Sequence, residues 1–352
     1  MKLRQFQTIV SEKADVAILL NPDSNVGYFC ENEIYGFACL IVPAKKSPFL
    51  ITSLLDYEQA KEKIKLEVIS FREKKRFLNF LTELFKKRDI KFKNIAVNKK
   101  ALSCAVFENL KKALKAKFVD VSDDLKKLRE VKTRKEIELI EKACRISDKV
   151  LSKVLNIFSR LRTETDVEAE LFYHAKKYFA DRSFKAIIAS GRNGSMPHHT
   201  TKNKRLQRGF CIIDFGVKYK GYCSDITRTV FIGKPRKKDK ELYELVLDAQ
   251  THAIKNVKTD MLCKELHKSA VRMLKEYGKY FIHGLGHGIG VDVHESPSIS
   301  PFSEDRFKKG MVFTIEPGIY VPHRFGIRIE DVVLLEKRPR VLTRSSKELI
   351  VF

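Results

Sequence analysis

The sequence predicts a two-domain α+β protein: a smaller α/β domain over residues 1–125, then a larger domain over 126–352 containing an antiparallel sheet. Three observations carry this expectation. The chain has 352 residues, enough for two domains of roughly 150 residues each. Strand-like and helix-like segments alternate through its first third, the pattern of an α/β domain. The pattern then changes, first to a charged helical stretch and afterwards to strands punctuated by glycine.

In the first domain, Asp15-Val16-Ala17-Ile18-Leu19-Leu20 is a short apolar run stopped by Asn21-Pro22-Asp23, hence a strand and a turn. Two further apolar runs, Phe37 to Val42 and Phe49 to Leu54, flank Pro43-Ala44-Lys45-Lys46-Ser47-Pro48 and predict a hairpin. A helix is expected near Tyr57 to Lys63 and a strand near Leu66 to Ser70. Phe77, Phe80, Leu81, Leu84 and Phe85 recur at the spacing of one helix face. Ile95-Ala96-Val97 and Phe118 to Val121 read as strands bracketing a helix near Ala105 to Leu114. From Asp123 to about Arg162 the chain is charged and helical, so the boundary is placed near 120–128. Thr163-Glu164-Thr165-Asp166 opens another helix with capping chemistry. Beyond Phe184, strands surround two amphipathic helices, about Glu241 to Lys255 and Leu262 to Tyr277. The antiparallel sheet is expected from Phe313 to Ile315, Gly326 to Leu335 and Arg340 to Thr343.

Composition excludes some function classes. A hydrophobic fraction of 43% is that of a folded chain. The formal net charge of +25 invites a nucleic-acid reading. Its distribution opposes that reading, because both halves are similarly basic and a footprint should be a stripe or a block. The densest runs, Arg72-Glu73-Lys74-Lys75-Arg76 and Lys234-Pro235-Arg236-Lys237-Lys238, fall at expected helix starts and connections. The charge therefore reads as solvated surface, with nucleic acid disfavoured as a partner. No apolar run reaches the ~18–20 residues of a membrane span, and Met1 to Gln7 lacks the apolar segment of a leader. A cytoplasmic protein is expected. The seven cysteines (30, 39, 104, 144, 211, 223, 263) form no CxxC pair and read as reduced core thiols.

The chemistry concentrates in the second domain. Asp214 lies inside the apolar run Ile212-Ile213-Asp214-Phe215, and Asp225 follows eleven residues later in Cys223-Ser224-Asp225-Ile226. With a turn at Lys218 to Gly221, the two should lie on paired strands. Glu316 in Phe313-Thr314-Ile315-Glu316-Pro317 and Glu330 in Ile327-Arg328-Ile329-Glu330 repeat the pattern. A carboxylate in an apolar strand must neutralise, pair or bind metal. Four such acids, with a histidine from His283-Gly284-Leu285-Gly286-His287-Gly288-Ile289-Gly290, match a site for two divalent cations. Mn²⁺ is the first choice, with Co²⁺, Zn²⁺ or Fe²⁺ as alternatives. A pair of such cations supports hydrolysis. The glycine run fails the GxGxxG spacing of a dinucleotide loop. Its glycines should instead let the backbone pack closely beside His287.

At these residues the sequence resembles the creatinase/prolidase/aminopeptidase P family of pita-bread metallopeptidases, over nearly the whole chain. The resemblance implies a creatinase-like N-terminal domain followed by a pita-bread catalytic domain. It implies Asp214 as a chelating ligand of one metal, Asp225 and Glu330 as bridging carboxylates, and His287 and Glu316 as ligands completing the other. It also implies substrate-side roles for His198 and for His294 beside the scissile carbonyl, with Glu316 moving a proton to the leaving nitrogen. Arg328 should neutralise and orient the carboxylates, while His199 and His283 should be structural. The implied substrates are peptides with proline in second position, and the implied assembly is a homodimer. Some prolidases of the family read His-Glu-x-Pro-Arg where this chain reads His294-Glu295-Ser296-Pro297-Ser298. Ser298 cannot grip a dipeptide's carboxylate as Arg would. The sequence reading therefore favours an aminopeptidase P type of enzyme, with Xaa-Pro dipeptidase as the alternative. A non-catalytic pita-bread binding protein for protein or nucleic acid is the rival from another class.

Overall fold

Five consecutive apolar residues, Val16–Leu20, are all buried and form the central strand of the first unit. The computed structural model describes residues 2–34, 36–72 and 77–352. Within them the chain divides into two units, Met1–Leu128 and Arg129–Phe352. The first unit runs α1 (Lys2–Lys13), β1 (Val16–Leu20), α2 (Ser24–Cys30), β2 (Ala38–Pro43), β3 (Phe49–Ser53), α3 (Tyr57–Lys63), β4 (Glu67–Phe71), α4 (Phe77–Lys87), β5 (Asn94–Val97), α5 (Cys104–Leu114), β6 (Lys117–Asp120) and α6 (Ser122–Glu130). Its sheet has the order β4-β3-β2-β1-β5-β6. The β2–β3 hairpin is antiparallel as expected, and β1–β5, β5–β6 and β3–β4 are parallel. Phe77, Leu81 and Phe85, the predicted face of α4, pack in this unit's core with Ile18, Ile41 and Val97. Helices α1 and α2 were not among the expected elements. Residues 73–76 of the basic run beginning at Arg72 lie outside the described residues.

The second unit opens with α7 (Arg134–Ile157) and α8 (Glu164–Lys177). Both start at capping boxes, Thr133 with Glu136 and Thr163 with Asp166, which satisfy backbone N–H groups that the helix leaves unbonded. The strands β7 (Asp181–Arg182), β8 (Ile187–Ser190), β9 (Gly209–Phe215), β10 (Val217–Tyr219), β11 (Tyr222–Cys223) and β12 (Ile226–Ile232) follow. Helices α9 (Lys237–Asn256) and α10 (Cys263–Met273) come next, then β13 (Gly286–Gly288), β14 (Glu295–Ile299), β15 (Val312–Ile315), β16 (Gly318–Val321), β17 (Phe325–Arg328), β18 (Asp331–Leu335) and β19 (Pro339–Val341). The sheets have the orders β12-β9-β8, β14-β13-β15-β18-β19, β16-β17 and β11-β10-β7. The two largest of the unit's apolar cores lie between α9, α10 and the C-terminal strands, and between α7, α8 and β9.

Three sequence expectations change here. The predicted last helix stops at Met273 and continues as a 3₁₀ segment, Lys275–Tyr280. The predicted strand from Gly326 to Leu335 is two strands, because β17 pairs with β16 whereas β18 pairs with β15. The chain changes sheets at Ile329-Glu330. Asp214 lies on β9 and pairs with Thr227 of β12, but Asp225 stands one residue before that paired strand and not on it. The reason is an extra short hairpin, β10–β11, whose two-residue turn places Lys220 at φ 47° and Gly221 at φ 82°. A tight turn of that hand needs positive φ at both central positions. Among the described residues no helix is long and apolar enough to cross a membrane. Six of the seven cysteines are buried and none is in a disulfide.

Candidate metal centre and active site

The acidic side chains come from places where strands end. Asp214 is the penultimate residue of β9, Asp225 lies between β11 and β12, Glu316 between β15 and β16, and Glu330 between β17 and β18. Backbone bonds hold two of these breaks in place: Glu316 N–H donates to Leu285 O at 2.8 Å, and Glu330 N–H to Thr227 O at 3.1 Å. His287 is the middle residue of β13, beside a register shift at His287/Gly288. The flanking glycines serve strand approach. A Cβ on Gly286 would stand 2.0 Å from Thr314 O of β15, and one on Gly288 2.0 Å from Ser296 O of β14. Only glycine lets β13 sit this close to both neighbours.

One ligand atom each from Asp225, His287 and Glu330 lies within 4.8 Å of the others. His287 Nε2 is 3.7 Å from Asp225 Oδ2 and 3.4 Å from Glu316 Oε1. Asp214 stands beside this set with Oδ2 accepting from Arg328 Nη2 at 2.5 Å. The donors to the remaining oxygens are few. Thr227 Oγ1 donates to Glu330 Oε2 at 2.7 Å, and Thr314 Oγ1 to Glu316 Oε1 at 3.3 Å. Among the described residues, no donor reaches Asp214 Oδ1, Asp225 Oδ1 or Glu330 Oε1, all buried.

These orphaned oxygens test whether the site fits cations. A buried carboxylate oxygen without a donor is costly. Burial drives Asp225 and Glu330 well above the ordinary carboxylate range, with the charges of neighbouring acids adding to it. Burial also pushes Glu316 up to about 7, against the opposing charge of Arg328. His287 gives a second sign. Its Nδ1–H donates to Gly288 O at 3.1 Å, which leaves the Nε2 lone pair aimed at two carboxylates. Burial holds its pKa down, so the ring is neutral. A lone pair facing anionic oxygens is repulsive unless a cation lies between them. Arg328 supplies one positive charge to four acids, so the donor set fits divalent cations.

The predicted substrate-side histidines lie at the rim. His198 and His294 are exposed. The His294 ring is 4.3 Å from that of His287, centroid to centroid. Glu295, the next residue, is pinned by Arg129 and by Lys132 at 3.1 Å. It lies so close under Gly290 that a Cβ there would be 2.7 Å from its oxygens. Two further groups, Tyr320 and Glu164, escaped sequence reasoning, whereas His283 takes the structural place expected of it. Tyr320 OH accepts from Arg328 Nη1 at 2.6 Å and donates to His283 Nε2 at 2.8 Å. His283 Nδ1–H donates to Gly284 O at 2.7 Å. Burial and the Arg328 charge lower its pKa to about 3, leaving it a neutral brace. Glu164, wholly buried, takes donors from Ser190, Asn193, His199 and Lys202 and so organises the segment that carries His198. Nothing near Glu164 in sequence marks it, because all partners of its carboxylate lie 26 to 38 residues away along the chain.

Residues 138–337 match the model of metallopeptidase family M24, and residues 2–131 that of the creatinase/prolidase N-terminal domain. The chain belongs to metallopeptidase family M24. This M24 chain is 38% identical over 355 residues to an Xaa-Pro dipeptidase of Pyrococcus furiosus, covering 99% of each. Its fold matches the prolidase of Pyrococcus horikoshii with a TM-score of 0.91 at 35% identity, over 99% of both chains. It also matches an X-Pro aminopeptidase of Thermotoga maritima with a TM-score of 0.87 at 34% identity, over 96% of this chain and 98% of that one. The expected fold, a creatinase-like domain before a pita-bread metallopeptidase domain, is thereby established, and the chain is a peptidase.

Proposed function

We propose that this M24 peptidase is an Xaa-Pro dipeptidase. The observation that carries a metal-dependent reading is the cluster of Asp225, His287 and Glu330 with its undonated buried oxygens. The dipeptide preference is supported by the relatives whose names state it, and it replaces the aminopeptidase P reading that Ser298 favoured. Ser298 is exposed on β14 and its backbone N–H donates to Asp305 Oδ2 at 3.0 Å. It offers a hydroxyl, so in this reading another cation grips the substrate's free carboxylate.

Asp214, Asp225, His287, Glu316 and Glu330 would hold two divalent cations. When bound, such cations polarise the scissile carbonyl and make water a nucleophile near neutral pH. Arg328 orients Asp214 through the bond from its Nη2 to Oδ2. His294, at the rim beside His287, donates to the carbonyl oxygen as negative charge develops there. A prolyl nitrogen has no N–H and must gain a proton to leave. Glu316 delivers it, with His198 facing that nitrogen. Tyr320 and His283 fix the Arg328 fork from behind.

The deciding experiment compares Xaa-Pro dipeptides with Xaa-Pro tripeptides at fixed Mn²⁺. A dipeptide preference in kcat/KM supports the proposal. A preference for tripeptides overturns it in favour of the aminopeptidase P type, the reading that Ser298 carries.

A further inference from the structure

The surplus positive charge plays no part in the reaction site, yet one place gathers it. A cavity of about 490 Å³ is lined by Arg208, Lys234, Arg236 and Arg324, with Asp239 beside them. The cations come from three segments: the approach to β9, the link from β12 to α9, and the turn between β16 and β17. The link is the basic run Lys234 to Lys238 already visible in the sequence. Asp239 is committed. It accepts from Arg236 Nε and Nη2, both at 3.0 Å, and from the Arg236 backbone N–H at 2.9 Å, capping α9. Arg208, Lys234 and Arg324 have no acid within ion-pair reach among the described residues.

The cavity is shaped as well as charged. Gly233, at φ 87°, lets Arg208 lie against the backbone: a Cβ there would be 3.2 Å from both Cγ and Nε of Arg208. The buried rings of Phe210 and Phe231 and the half-buried ring of Phe325 form an apolar wall, Phe210 standing 5.0 and 5.5 Å from the other two. Apolar walls focus the field of nearby charges. The site is separate from the carboxylate cluster. Phe210 pairs with Phe231, and Asp214 with Thr227 four residues further along β9, about 13 Å away at a rise of ~3.3 Å per residue.

We propose that this cavity binds a small anion bearing two or more phosphate groups. Its volume exceeds what one phosphate needs and falls in the usual small-molecule range of about 300–1,000 Å³. Guanidinium groups match pairs of phosphate oxygens. Three unpaired cations on separate segments call for negative charge spread along the ligand, which a single carboxylate does not provide.

Isothermal titration calorimetry of the full metal-loaded chain, with pyrophosphate and with a nucleoside diphosphate, tests this. Binding of either should be at least about tenfold tighter than that of inorganic phosphate and should weaken as salt is raised. The Arg208→Gln/Arg324→Gln variant should bind roughly a hundredfold more weakly, about tenfold per cation removed. That variant also controls for chelation, since heat arising at the metals survives in it. Lys234→Gln is a second, milder variant. Tighter binding of the nucleoside diphosphate than of pyrophosphate would identify a nucleotide; equal binding would identify the polyphosphate group alone. Absence of binding, or binding unchanged in the double variant, overturns the proposal. So does binding of a DNA oligonucleotide in the absence of pyrophosphate binding.

Discussion

Replacing Glu164 by Gln removes one charge and leaves the side-chain volume almost unchanged, so its effect reports the charge and its hydrogen bonds rather than packing. Oε1 accepts from Ser190 N–H at 3.0 Å, Ser190 Oγ at 3.0 Å and Asn193 Nδ2 at 2.8 Å. Oε2 accepts from His199 Nε2 at 2.9 Å and Lys202 N–H at 3.3 Å. Burial alone would raise this carboxyl's pKa, but the Asn193, Ser190 and His199 bonds outweigh it and hold the group ionised. An amide must turn its NH₂ toward one set of donors. The cheaper choice faces His199 and Lys202. His199 escapes by changing tautomer, and the Lys202 N–H is left unmet at a cost of about 1–3 kcal/mol. The three bonds on the other oxygen lose their charge assistance, roughly 0.5 kcal/mol each. The sum is about 3 kcal/mol, or a Tm lower by about 6–12 °C for a unit of this size. Because the 190–202 segment carries His198, kcat/KM should fall about 10- to 100-fold. Differential scanning calorimetry and dipeptide turnover provide the two readings. A Tm within about 1 °C of the parent, with unchanged kcat/KM, would mean that the Glu164 bonds carry neither stability nor the placement of His198.

Three further outcomes are expected. Gly286→Ala sets a methyl 2.0 Å from Thr314 O; β13 must move, and melting should drop by several degrees with loss of metal binding measured by elemental analysis. Glu295 is held at a pKa of about 2: burial opposes this, and the charges of Lys132 and Arg129 overcome it. Its folded pKa lies below the unfolded value, so its stabilisation, about 3 kcal/mol, is complete above pH ~4.5 and is lost as the pH falls toward 2. Glu295→Gln should flatten the acid limb of the stability–pH curve. Finally, chelation should abolish turnover and divalent cations restore it, while Asp225→Ala should lose both bound metal and activity; full activity in a metal-stripped sample would contradict the site.

The fold was largely legible because its signals are local. Phe77, Leu81 and Phe85 face one way at helical spacing, and Thr163 with Asp166 announces a cap, whatever the rest of the chain does. Helix α1 was not among the expected elements, although Leu3, Phe6 and Val10 recur at helical spacing; only Phe6 and Val10 are fully buried. At the site, the sequence shows acids in apolar runs, which suffices to mark Asp214, Asp225, Glu316 and Glu330 as unusual. It cannot show which oxygens lack donors, because Arg328 and Thr227 reach Asp214 and Glu330 from strands more than 100 residues away along the chain.

Periodicities, caps, glycines and the acids set in apolar runs are local properties of the chain and can be read from it directly. How those acids meet is a property of the folded chain alone. Glu330 faces the cluster because the chain changes sheets at that residue, and Asp225 because a two-residue turn inserts β10–β11 before it. The Tyr320–Arg328–Asp214 brace and the Glu164 network join residues whose neighbours along the chain play no part in them. Local propensity acts over a few residues, whereas a buried charge is stabilised by whatever the fold brings within about 3 Å of it.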